Sequence, residues 1–256
     1  MKEKLEITAS IVLYKENLEE LTKTIECFLN TPLIKKLFLI DNNEDKHFEN
    51  TFNQEEIEYI ALGENIGFGA GHNKILKKIK NVSKFHLILN PDVYFKPEVI
   101  PNLIAKLNRH QIVSMIAPKI LFPDGNHQYS CRRYPRASEL LARRFTFLEP
   151  LFKNLIKKGK YQDRDLKSSF FADYITGCFH LYKTEDFVNL NGFDERYFLY
   201  MEDVDICRKI EKIDKMKLYY PKEEIVHVLK QGSSKDLNLF LRHTSSAIKY
   251  FLKWGF

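Results

Sequence analysis

The sequence predicts an α/β domain with a mixed central sheet flanked by helices, and three observations carry that expectation. Short apolar runs alternate with segments of helical periodicity through the first half of the chain. Acids and amides follow directly on the ends of two of those runs, at Asp41-Asn-Asn and Asn90-Pro-Asp92. Beyond them a turn signal, Pro123-Asp-Gly125, reads as the joint between two antiparallel strands, so a parallel half gives way to a mixed one.

Residues 7–14 read as a buried strand, and residues 17–29 as an amphipathic helix, with Leu18, Leu21, Ile25, Phe28 and Leu29 at helical spacing. Residues 37–40 form a second apolar strand. Strand, helix and strand in this order imply a parallel pair with a right-handed crossover. In such sheets ligands gather beyond the carboxyl ends of the strands, where Tyr14 and Asp41 lie. Residues 57–62 form a third strand candidate, followed by Glu64-Asn-Ile-Gly-Phe-Gly-Ala-Gly-His-Asn73 and a helix through Ile75, Leu76 and Ile79. Its glycines let backbone approach a ligand at a helix start. Their spacing is not the dinucleotide fingerprint, and the Lys-Ser/Thr ending of a phosphate-binding P-loop is missing. Residues 85–89 are a fourth strand with Asn90-Pro-Asp92 at its end, and a helix over 97–109 and a strand over 112–117 follow.

Residues 132–160 interleave Arg132, Arg133, Arg136, Arg143, Arg144 and four lysines with leucines and phenylalanines. This pattern suits a helical pair packed on the core and equally a surface facing anionic lipid. Residues 236–254 read as a terminal amphipathic helix opened by an Asp236 cap, with docking on the body favoured over membrane insertion. The expected organisation is one domain over 1–230, built of a first half (1–120) and a second half (121–230), with a helical extension over 231–256.

The chain has 256 residues, 44% of them hydrophobic, enough for a sizeable core. A net charge of +6 is too weak to argue for nucleic acid but suits a diphosphate ligand or an anionic membrane surface. Cys27, Cys131, Cys178 and Cys207 lack the paired spacing of a zinc site and read as small buried hydrophobes in a reducing compartment. No run of eighteen apolar residues occurs, and the N-terminus runs straight into a strand, so neither a signal peptide nor a spanning helix is expected.

The chemistry concentrates in Tyr200-Met-Glu-Asp-Val-Asp205, which sets carboxylates at the start of a helix, and in Asn90-Pro-Asp92. Two separated acidic sites suit a metal-dependent group transfer: one holds a cation on a diphosphate, the other takes a proton from an incoming hydroxyl. Together with Ser10-Ile-Val-Leu-Tyr14, Ile40-Asp-Asn-Asn43, the Glu64–Asn73 loop, Thr176-Gly-Cys178, Asn191-Gly-Phe-Asp194 and Ile225-Val-His-Val228, these motifs stand in an order that resembles family 2 glycosyltransferases. Within that family they are most similar to bacterial rhamnosyltransferases of O-antigen and related cell-surface polysaccharides.

The resemblance implies a GT-A fold, the Rossmann-like architecture of nucleotide-diphospho-sugar transferases, with a nucleotide-sugar donor, a divalent cation (Mg²⁺ or Mn²⁺) and inversion at the anomeric carbon. It assigns Asp203 as the base that deprotonates the acceptor hydroxyl. Glu202 is the neighbour that orients the acceptor or takes that role instead. Asp92 and His227 become the metal residues, with Asn90 replacing the first carboxylate of the family's Asp-x-Asp motif. Tyr14, Asp41, Asn65, Gly67, Asn73, Asn90 and Asp92 become donor contacts, and Arg132 and Arg133 acceptor-side residues. The implied function is transfer of L-rhamnose from dTDP-L-rhamnose to a saccharide, carried on a polyprenyl diphosphate, at the cytoplasmic face of the bacterial inner membrane with peripheral membrane contact. A UDP-hexose or UDP-N-acetylhexosamine donor, or a non-catalytic nucleotide-sugar-binding protein, is the alternative. A nucleotidyltransferase would need a glycine-rich N-terminal signature, and residues 8–17 hold no glycine.

Overall fold

The computed structural model describes residues 5–138, 149–229 and 237–255. Among them a nine-stranded sheet runs in the order β3-β2-β1-β4-β10-β6-β11-β5, with β8 (Phe170–Phe171) joined to β11. Its first half is parallel: β1 (Leu5–Leu13) lies between β2 (Lys35–Asp41) and β4 (Ser83–Leu89), and β3 (Ile57–Ala61) extends it beyond β2. β10 (Phe179–Lys183) runs against both β4 and β6 (Val113–Leu121). β11 (Met216–His227) is parallel to β6, and β5 (Val93–Tyr94) is antiparallel to β11. Six strands therefore end at one edge, where β10 begins.

Both faces of β1 are buried, and its alternation divides the core. Ile7, Ala9, Ile11 and Leu13 pack beneath α1 (Leu18–Leu29) and α4 (Val99–Asn108). Leu21, Ile25 and Phe28 of α1 lie one helical turn apart and are buried there, each contributing roughly 1.5–3 kcal/mol of burial free energy. Asn17 caps this helix, its side-chain oxygen accepting from the Glu20 amide at 3.0 Å. On the opposite face lie α2 (Phe68–Asn73), α3 (Leu76–Ile79), α6 (Thr184–Asn189), α7 (Glu202–Glu211) and α8 (Leu237–Trp254), with a second apolar cluster through Ile75, Phe187, Phe193, Val204 and Tyr250. Helix α5 (Glu149–Gly159) lies within the basic segment.

Several local expectations change. The helix after the glycine loop starts earlier, at Phe68, and breaks into two short pieces. The hairpin expected at Gly125 shrinks to a single bridge between Leu121 and His127, because β7 (Cys131–Arg132) pairs with β9 (Tyr174–Ile175) instead of β6. The Asp236 cap and the residues 139–148 of the basic segment lie outside the described residues. Cys131, Cys178 and Cys207 are buried and all four cysteines are free thiols.

Candidate active site

The edge where the parallel strands end gathers most of the residues singled out in the sequence. Asn90 and Asp92 follow β4, and His227 ends β11. His227 Nε2 lies 3.3 Å from Asp92 Oδ1 and 3.5 Å from Asn90 Nδ2. Its other nitrogen, Nδ1, lies 3.0 Å from Gln128 Oε1. Because an amide oxygen only accepts, Nδ1 carries a proton; without a cation Nε2 carries one as well and pairs with Asp92, and a bound cation would take that second proton's place. Gln128 Nε2 also donates to the His227 carbonyl, and the Val228 amide donates to the Asp92 carbonyl at 3.1 Å. Both groups are thus held from two sides. Burial depresses the imidazole pKa, but the Cys178 sulfur and the Asp92 carboxylate outweigh it and push it up to about 10.

A turn at Gly177–Cys178 joins this cluster to the second acidic site. The Asn90 amide donates to the Cys178 carbonyl at 2.9 Å, and the Gly177 amide donates to Asp203 Oδ2 at 3.3 Å. Asp203 opens helix α7 together with Glu202 and Asp205, where acids are favoured by the exposed amides and the helix dipole. Its Oδ1 also accepts from the Val204 amide at 2.8 Å. Burial raises the Asp203 pKa against the pull of the Val204 and Gly177 amides and the Arg132 guanidinium, which favours proton capture. Glu202 is buried, and burial with the adjacent Asp203 charge lifts its pKa to about 8. One of its oxygens has no hydrogen-bond partner. The two neighbours therefore differ: Asp203 is half-buried beside Gly177, and Glu202 is buried beside Gly69.

The glycine loop borders the same edge. Gly67 has φ +95°, and a Cβ there would stand 2.2 Å from the Phe198 carbonyl oxygen, so only glycine fits. Asn65 Oδ1 accepts from the Gly67 amide at 3.0 Å and lies 3.3 Å from Asn42 Nδ2, which also donates to the Gly67 carbonyl at 3.2 Å. Asp41 is buried: Asn43 donates twice to its Oδ1, at 2.8 and 2.6 Å, and the Tyr59 hydroxyl to its Oδ2. Tyr14 is exposed and carries the Lys15 ammonium 5.2 Å from its ring centre.

Two residues are used elsewhere. Asn73 exchanges both amide groups with the backbone of Phe193, at 2.9 Å each, tying α2 to the loop after α6. Arg133 pairs with Asp163 at 2.8 Å and covers the Tyr161 ring at 4.4 Å, whereas Arg132 keeps a buried, unpartnered Nε and acts electrostatically on Asp203. Gln128 and Tyr59 enter the site although the sequence reading did not single them out, and Cys178, read there as a small buried hydrophobe, joins them. Only the juxtaposition of strands puts them there.

The family model for glycosyl transferase family 2 matches residues 8–187, which run from β1 through β10. The chain belongs to glycosyl transferase family 2. Among curated relatives, an N-acetylglucosaminyl-diphospho-decaprenol L-rhamnosyltransferase of Mycobacterium tuberculosis is 27% identical over 204 residues, 75% of this chain. The chain spans 66% of that relative's length. Rhamnosyltransferase WbbL of Escherichia coli K12 is 25% identical over 243 residues, covering 86% of this chain and 88% of its own. The architecture is that of the GT-A glycosyltransferases. A structure of GalNAc-T7 with UDP, GalNAc and Mn²⁺ superposes with TM-score 0.70 at 14% identity, over 97% of this chain and 48% of that one. The mannosyltransferase PcManGT of Pyrobaculum calidifontis, with GDP-Man and Mn²⁺, gives 0.62 at 13% identity, over 98% and 64%.

In this family 2 glycosyltransferase the donor set at Asp92 and His227 fits a divalent cation in part. Among the described residues no group of three or more His, Cys, Asp or Glu side chains is placed to hold a metal. One carboxylate and one imidazole leave coordination positions for phosphate oxygens and water, the usual arrangement for a cation bound with a diphosphate. Among the described residues no helix is long and apolar enough to cross a membrane.

Proposed function

We propose that this glycosyltransferase moves L-rhamnose from dTDP-L-rhamnose, with inversion, onto a saccharide carried by a polyprenyl diphosphate. The observation that carries the reading is the Gly177–Cys178 turn, which ties Asp203 on one side and the Asn90–Asp92–His227 cluster on the other to one sheet edge. The rhamnosyl donor draws its support from the two rhamnosyltransferase relatives.

In the proposed reaction Asp203 accepts the proton of the acceptor hydroxyl as its oxygen bonds to the anomeric carbon. The bond to the donor diphosphate breaks on the opposite side, and the departing nucleoside diphosphate takes the electron pair. A divalent cation held by Asp92 and His227 would neutralise the leaving group's charge. Gln128 fixes the imidazole tautomer, Asn65 and Gly67 shape the backbone beside the donor, and Arg132 balances negative charge next to Asp203. Tyr14 and Asp41 stand at the strand ends assigned to the nucleobase.

A membrane-apposed acceptor at the cytoplasmic face draws on α8, whose Leu241, Ile248 and Leu252 are exposed on a helix that has no acidic residue in its described span. The test is to incubate purified protein and Mn²⁺ with dTDP-L-rhamnose and with UDP-linked hexoses and N-acetylhexosamines, following melting temperature and release of nucleoside diphosphate. Stabilisation and turnover with the dTDP sugar support the reading. A response only to UDP sugars would replace the donor, and no response to any would remove the function.

A further inference from the structure

Asp205 is the third acid of the α7 opening, and the proposed reaction does not use it. Its side chain is fully buried, and two residues along a helix turn it about 200° from Asp203. It accepts from Trp254 Nε1 and Lys253 Nζ, each at 2.7 Å, and from the Tyr197 hydroxyl at 3.2 Å. Lys253 bridges onward to Asp194 at 2.8 Å. Further along α8, Ser246 Oγ donates to the Leu199 carbonyl at 2.8 Å and Lys249 Nζ to the Arg196 carbonyl at 2.7 Å. The Arg242 guanidinium lies 3.5 Å from the centre of the Phe198 ring. Helix α8 therefore grips residues 194–205 repeatedly from one side.

The other side of that segment meets the catalytic edge. The Phe198 carbonyl accepts from the Phe68 amide at 3.0 Å and fills the space beside Gly67. Tyr200 and Met201 then adopt φ of +68° and +70°, immediately before Glu202 and Asp203. Consecutive left-handed conformations at bulky residues persist only where the surroundings enforce them. The α8 contacts are such an enforcement.

We propose that Asp205, Lys253 and Trp254 form a positioning clamp through which α8 sets the placement of Asp203 and, by way of the Phe198 carbonyl, of the donor loop at Gly67–Phe68. The catalytic part rests on the function proposed above; the mechanical coupling does not. The test compares wild type with Lys253→Met/Trp254→Phe, with Ser246→Ala as a milder cut and Lys253→Arg as the conservative replacement. Amide hydrogen exchange, affinity for dTDP with Mn²⁺, and turnover of dTDP-L-rhamnose are measured.

The double variant is expected to exchange about tenfold faster in residues 66–71 and 194–201 while β1 and β4 keep their protection. Its dTDP affinity should weaken about threefold or more and turnover fall about tenfold. Lys253→Arg should stay near wild type. A loss of folded fraction alone would lower turnover without changing dTDP affinity. If the double variant does not fold, Ser246→Ala must still raise exchange in both segments. Unchanged exchange in residues 66–71 in the double variant, or in Ser246→Ala where the double variant does not fold, overturns the clamp. Absence of dTDP binding and turnover in wild type would defeat the proposed function, and exchange would still decide the coupling.

Discussion

At Glu202 and Asp203, adjacent carboxyls receive different environments from one turn of helix. Asp203 meets two backbone amides and an arginine field, whereas Glu202 is enclosed with one oxygen unpartnered. With its pKa raised to about 8, Glu202 holds its proton in the native state over a range where the unfolded chain has lost it. The native protein then binds more protons than the unfolded one, so this group's effect lowers stability as pH rises from about 4.5 to about 8. Glu202→Gln removes that dependence. Melting temperatures of the two proteins across this range should show wild type losing stability relative to the variant as pH rises; parallel curves would contradict the assignment. The sequence offered the acidic pair and its helix but left the roles of its members open, because exposure depends on what packs against each. Asp41 gives the same lesson: the acid at the strand end was visible and Asn43 binds it locally, but its capture by Tyr59 follows from pairing β2 with β3.

Among the elements, the glycine loop and the end of β11 are where the proposed reaction places the donor. Gly67→Ala would force a side chain into an unfavourable φ and into the Phe198 carbonyl, so the loop must shift. Calorimetry should find dTDP affinity reduced by about tenfold or more with global melting little changed. At β11, Gln128→Ala would free the His227 ring, and the Mn²⁺ concentration giving half-maximal turnover should rise roughly 10–100-fold. An unchanged metal requirement would mean that Gln128 does not orient a ligand. Helices α1 and α4 and the strands β1, β2 and β4 were legible because their apolar spacing is clean. Strand β11 was not, since Pro221 and the acids Glu223 and Glu224 interrupt its pattern and its register shifts between Tyr220 and Glu224. Gln128 carried no local signal at all. Its role comes from a bridge at Leu121–His127 that brings the following residue to β11.

For the whole molecule, one sheet edge gathers the Asp92–His227 cluster, Asp203 and the glycine loop because strand order, not chain order, decides which residues meet. β10 enters between β4 and β6 in the opposite direction, and the turn that precedes it becomes the hinge point between the Asp92 cluster and α7. The ordered motifs gave the GT-A architecture and the family, which the fold and the family match bear out. The most direct measurement is the turnover of dTDP-L-rhamnose by Asp203→Asn, set beside its calorimetric affinity for dTDP with Mn²⁺. The expected result is a loss of at least about 10²-fold in turnover with dTDP binding retained. Wild-type turnover in the folded variant would contradict Asp203 as the base and the arrangement built around it.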